Sequence, residues 1–103
     1  MKLEKTIAKM QKNNNLYTII MDFRGGTYIF QKNVTDKNDA IKLWLLDLDV
    51  KKIKYFSVKT KEDLLNQIKD EELTPIENNK NVWISNYYLN GHFTTIHLIK
   101  TFI

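Results

Sequence analysis

The sequence has no cysteine, a single proline, a single arginine and only three glycines. Without cysteine there are no disulfides, no thiolate nucleophile and no thiolate metal ligand, and cysteine usage points to no redox compartment. No stretch approaches the roughly 20 apolar residues that span a bilayer. The opening Met1-Lys2-Leu3-Glu4-Lys5 leads into mixed polar residues, not into an apolar core with a small-residue cleavage site. No membrane span and no secretory signal are therefore expected, and the cytoplasm is the expected location. The phosphate loop G-x-x-x-x-G-K-[ST] and the dinucleotide pattern G-x-G-x-x-G are missing. Ser57 and Ser85 sit in no G-x-S-x-G elbow.

Histidine is scarce as well. His92 and His97 lie five apart on an expected strand, so they face opposite sides of a sheet and cannot converge on one metal. No carboxylate is placed beside either one to make a general base. The expectation is a protein with no catalytic residues, no metal and no cofactor. Of 16 cationic residues, 15 are lysine and only Arg24 is arginine. Phosphate and base-edge recognition favour the arginine fork. The formal net charge of +4 thus reads first as a lysine-rich composition.

What is present is enough for one folded domain. The 103 residues are 43% hydrophobic and 12% aromatic, well outside the range of disordered chains. Residues 1–15 are expected as a flexible or helical N-terminal arm, because Lys12-Asn13-Asn14-Asn15 interrupts the short stripe of Ile7 and Met10. Residues 16–103 form the expected single α+β domain.

Leu16 to Phe23 alternates with Tyr17, Ile19, Met21 and Phe23 on one face, which is a strand pattern. Thr27 to Val34 is its expected partner across Arg24-Gly25-Gly26, with the glycines supplying the positive φ of a tight turn. Asp36 is placed to cap a helix whose stripe is Ala40, Ile41, Trp44, Leu45 and Leu48. Residues 51–58 read either as a short strand or as a buried connector. Thr60 is the expected cap of a second helix with Leu64, Leu65 and Ile68 on its inner side, ending near Glu72 ahead of Pro75. Val82 to Leu89 and His92 to Phe102 form a second hairpin around Asn90-Gly91, a strong type I′ signal. A two-residue loop there pairs Trp83 with Leu98, Ser85 with Ile96 and Tyr88 with Phe93. The expected architecture is an antiparallel sheet of about four strands from two hairpins, with two helices on one face, in the order ββααββ.

Acidic residues close both helices: Asp47 and Asp49 the first, Asp70, Glu71 and Glu72 the second. A helix C-terminus is the unfavourable end for negative charge. The acids read either as a patch for a basic partner or as a solvated loop edge. Leu46 on the outer side of the first helix, and Tyr87 and Tyr88 on opposite faces of the third strand, add large groups beyond what one small core absorbs. The candidate interface is therefore Leu46, Asp47, Asp49, Asp70, Glu71, Glu72 and Tyr87. Lys51, Lys52, Lys54, Lys59 and Lys61, interleaved with Tyr55 and Phe56, give the alternative of a small nucleic-acid-binding protein. The competing reading of that segment is a solvated connector with its aromatic pair in the core.

The segment Tyr17-Thr18-Ile19-Ile20-Met21-Asp22-Phe23-Arg24-Gly25-Gly26-Thr27-Tyr28-Ile29 resembles the opening hairpin of small immunity proteins encoded beside bacterial contact-dependent growth inhibition toxins and related polymorphic toxins. Ala40 with Trp44, Asn81-Val82-Trp83 and Ile99-Lys100-Thr101 extend the resemblance over about residues 16–103. That group usually carries Cys or another small residue after Asn-Val-Trp, where this chain has Ile84. The resemblance implies a stoichiometric inhibitor, without turnover, that binds the C-terminal domain of a cognate toxin in the cytoplasm. Such toxins are often nucleases, whose inhibitors are often acidic. A basic chain would then use a local acidic patch, bind away from the active site, or face a toxin of another kind.

Overall fold

A computed structural model describes residues 15–69 and 73–101. The arm expected over residues 1–15 lies outside them except for Asn15, and Asp70, Glu71 and Glu72 lie outside them too. The first hairpin joins β1 (Asn15–Phe23) to β2 (Gly26–Val34). Its loop is Arg24-Gly25, one residue earlier than the glycine pair suggests. Both loop residues have positive φ, 49° and 82°, as a type I′ turn requires. Gly26 instead pairs with Phe23 inside the ladder. A Cβ at Gly26 would stand 2.8 Å from the Tyr28 hydroxyl, so a larger residue there would require the Tyr28 side chain to shift. Met21 then faces Tyr28 and Ile19 faces Phe30.

Helix α1 (Lys37–Asp47) begins at Asp36, whose carboxylate accepts from the Asn38 amide at 2.9 Å. Ala40, Ile41, Trp44, Leu45 and Leu48 are all buried, as their spacing predicts. A 3₁₀ turn (Val50–Lys52) follows, and residues 53–57 form a connector, not a strand. Ile53 and Phe56 enter the core and Tyr55 does not.

Helix α2 (Val58–Ile68) starts three residues before the expected place. Ser57 is the cap: its Oγ accepts from the Thr60 amide at 3.1 Å. Thr60 is buried one turn inside, bonded through its hydroxyl to Ser57 and to Asn90.

A fifth strand, β3 (Thr74–Pro75), precedes β4 (Val82–Leu89) and β5 (His92–Thr101). The order is thus ββααβββ, not ββααββ. Periodicity cannot reveal a strand of two residues, and its proline argues against one. Pro75 is tolerated because β3 is an edge strand. The sheet is antiparallel throughout, in the order β2-β1-β5-β4-β3. The second hairpin has the expected register: Trp83 with Leu98, Ser85 with Ile96, Tyr88 with Phe93. One side of the sheet, carrying Tyr17, Ile19, Met21, Phe23, Ile96 and Leu98, packs with the apolar stripes of both helices in a single core. No helix among the described residues is long and apolar enough to cross a membrane.

Candidate functional site

The residues with chemical potential are spread out. His92 and His97 lie on opposite sides of the sheet, as odd spacing on one strand demands. His92 is exposed beside the hairpin turn, its ring 6.5 Å from that of Phe23. His97 lies on the outer side, in register between Ile20 on β1 and Ile84 on β4. Among the described residues no three His, Asp or Glu side chains are grouped so as to hold a metal ion.

Of the expected acidic patch, Asp47 and Asp49 are among the described residues, and both are engaged within the chain. Lys32 forms an ion pair with Asp47, and its hydrogen bond, followed by its charge, holds the Asp47 carboxyl below the usual range. Asp49 accepts from the Lys51 amide at 3.1 Å and caps the 3₁₀ turn. Lys61 Nζ donates to the carbonyls of Leu46 and Leu48, both at 3.1 Å. That places a cation at the negative end of α1, supplied by another helix. Leu46 is exposed beside these groups.

Tyr87 corrects the sequence reading. It is 3% exposed and belongs to the core, whereas its neighbour Tyr88 is 65% exposed. Alternation put the two on opposite faces, but only the position of the helices decides which face is covered. Burial is the largest influence on the Tyr17 hydroxyl, with Asp36 second, and together they push its pKa above the ordinary value. This hydroxyl belongs to the covered face and is not available to a partner.

The other side of the sheet is covered by neither of the two described helices. Its central row runs Ile29, Ile20, His97, Ile84 across four strands. The next row is Thr18, Ile99 and Val82. At the far end Tyr88 and Phe93 meet edge to face with ring centres 5.4 Å apart. Ile29 is 66% exposed and Phe93 is 56% exposed. Asp22 and His97 are the only Asp, Glu, Lys, Arg or His among the described residues of this face. Asp22 is itself held by the Thr27 hydroxyl at 2.6 Å. The polar remainder is mostly a threonine belt in which Thr18 bonds Thr101 and Thr95 donates to Asn86. In a chain with 27% charged residues, a face with so few charges is a selective feature. The sequence signal for it was the second period-two set, Ile20, Ile29, Ile84 and Ile99, complementary to the core set.

A second feature lies at the corner formed by the first hairpin and the connector. Tyr55 is 57% exposed and has a left-handed backbone, φ 64°. The Arg24 guanidinium is 4.2 Å from its ring centre and the Lys54 ammonium 5.1 Å. The Lys54 amide donates to the Tyr28 hydroxyl at 3.1 Å, which ties the connector to β2. The single arginine is thus spent on an aromatic ring.

Comparison of the chain with protein-family models, with curated proteins and with solved structures gives no match.

Proposed function

We propose that this chain is a stoichiometric binding protein that neutralises the C-terminal domain of a cognate toxin, as the immunity proteins it resembles do. The toxin is a nuclease of a contact-dependent growth inhibition system, and the inhibitor acts in the cytoplasm without turnover. The observation that carries the reading is the nearly uncharged side of the sheet that neither described helix covers. Large apolar groups at Ile29, Tyr88 and Phe93 are held in water by a rigid antiparallel scaffold. Each such side chain transferred from water into a partner surface contributes about 1.5–3 kcal/mol before the costs of association. Tyr is favoured at binding hot spots because it combines apolar area with a polar tip. A face of this kind suits an apolar patch outside a nuclease's phosphate-binding cleft, which fits a basic inhibitor better than mimicry of phosphate does.

The test is co-expression with the toxin domain encoded immediately upstream. The protein is expected to rescue growth and to form a one-to-one complex. The variants Tyr88→Ala, Phe93→Ala and Ile84→Glu are expected to lose rescue while remaining folded by circular dichroism. Failure of the parent chain to rescue overturns the proposal.

The Tyr55 corner favours a second reading, a small nucleic-acid-binding protein. An exposed ring flanked by Arg24 and Lys54, next to Lys51 and Lys52, is a suitable stacking platform for a single strand. This reading predicts RNA or single-stranded DNA binding that falls steeply with salt and is lost in Tyr55→Ala. Binding indifferent to Tyr55→Ala and to Lys51→Glu excludes it.

A further inference from the structure

The two edges of the sheet are treated differently. At one edge β3 is two residues long and contains Pro75, whose nitrogen has no hydrogen to offer. Beyond β3, the Tyr88 carbonyl on β4 accepts from Gln67 of α2 at 2.7 Å. That edge is short, interrupted and covered. The other edge is β2, nine residues paired with β1 in an unbroken register, so no bulge twists it away. The two-residue turn closes on a hydrogen-bonded pair, Phe23 with Gly26. Alternation then directs Tyr28, Phe30 and Lys32 main-chain groups to β1 and those of Thr27, Ile29, Gln31 and Asn33 outward. Among the described residues no hydrogen bond reaches those outward groups. The one lysine on the strand, Lys32, is drawn to Asp47 and does not guard the edge. Long, flat, unguarded edges are what folded proteins ordinarily avoid.

We infer that the free edge of β2 pairs antiparallel with β2 of a second copy of this chain, making one continuous ten-strand sheet across a two-fold axis. Three observations favour a second copy. The outward residues Thr27, Ile29, Gln31 and Asn33 are all uncharged, so an antiparallel pairing about an axis at Phe30 sets Ile29 against Gln31 and Thr27 against Asn33 without like charges opposed. The groove beside the edge, between β2 and the end of α1, is lined by both signs, Lys32 and Lys52 with Asp47 and Asp49. A chain of net charge +4 therefore meets its own copy here without a field of one sign. The guarded β3 edge cannot extend the sheet, so the assembly closes as a dimer and does not grow into a fibre.

The experiment is sedimentation equilibrium of the full chain from micromolar to millimolar concentration, with amide hydrogen exchange at both extremes. The expected mass at high concentration is twice the 12.3 kDa of one chain. The amides of Thr27, Ile29, Gln31 and Asn33 are expected to exchange about tenfold more slowly there, the factor set by one ordinary hydrogen bond. Ile29→Pro removes an outward N–H that the β1 ladder does not use, and should leave a folded monomer. Ile29→Lys with Gln31→Lys, which alters only exposed side chains, should do the same by opposing like charges. A parent chain that stays monomeric overturns the inference. So does a dimer that survives both variants, or edge amides protected at every concentration until residues 1–14 are removed.

Discussion

Ser57→Ala tests how the second helix is started. In the structure Ser57 Oγ accepts from the Thr60 amide at 3.1 Å and lies 2.9 Å from the Thr60 hydroxyl. Loss of an N-cap oxygen of this type costs about 1 kcal/mol and up to about 2. The upper half of that range is expected, because the buried Thr60 hydroxyl also loses one of its two partners. For a domain of this size each 1 kcal/mol lowers the melting temperature by about 4–8 °C. Urea unfolding should show a lower midpoint at unchanged m. Thr60→Val keeps the amide and so keeps the cap, losing only the hydroxyl bonds to Ser57 and Asn90, for about 1 kcal/mol. The two changes share one bond, so the double variant should lose less than the sum. A Ser57→Ala chain as stable as the parent, with the whole cost falling on Thr60→Val, would mean that α2 starts at Thr60 and would refute the reasoning.

Four further outcomes are expected. Ser85 is 2% exposed and its hydroxyl has no partner among the described residues, so Ser85→Ala should stabilise the fold by about 1 kcal/mol in the same urea assay, a loss of stability being the contrary result. Leu64 is fully buried in the core, and Leu64→Ala should cost about 3 kcal/mol, read as a lower thermal midpoint. Gly91 has φ +77° with open space where a Cβ would stand, so Gly91→Ala should cost about 1 kcal/mol from backbone strain alone. Asp47 has its folded pKa lowered by Lys32, so its contribution is present above the unfolded pKa of about 4 and is lost as pH falls through the lower folded value. The parent should therefore exceed Asp47→Asn in stability by a constant amount around neutral pH, with the difference vanishing in the acid limb, and a difference that varies with pH near neutrality would contradict the assignment.

The hairpins were legible because their signals are local. Asn90-Gly91 determines its loop, and loop length determines every pair up to Val82 with Ile99. The stripe from Ala40 to Leu48 was legible for the same reason: period and cap agree. The elements that escaped depend on distant partners. Ser57 and Thr60 are both good caps three residues apart, and burial of Thr60 against Asn90 of the second hairpin decides between them. The acids at the end of α1 read as a free patch because the sequence does not show that Lys32 reaches Asp47 from β2 and that Lys61 of α2 bonds the Leu46 and Leu48 carbonyls. Tyr87 and Tyr88 could not be told apart by alternation when both faces of β4 carry apolar groups. Of the candidate interface, Leu46 is exposed as expected, Tyr87 is core, and the missing signal was the row of isoleucines on the outer face.

Why that row exists follows from the dimensions of the parts. Each helix has 11 residues and is about 16 Å long. The sheet's five strands span about 19 Å across, and its longer strands run about 30 Å. These two helices cover one side of the sheet, and among the described residues none is helical on the other. Water alone would favour Thr, Lys and Glu on that other side, and the threonine belt meets this expectation. Ile20, Ile84, Ile99 and Phe93 do not, and none of them belongs to the core formed by the described residues. Their substitution by threonine should leave the unfolding midpoint nearly unchanged while weakening partner binding. A midpoint that falls as steeply as in Leu64→Ala would instead make this face a second core, closed by the chain's own N-terminal residues or by its copy, and would move the search for the partner's surface to the Tyr55 corner.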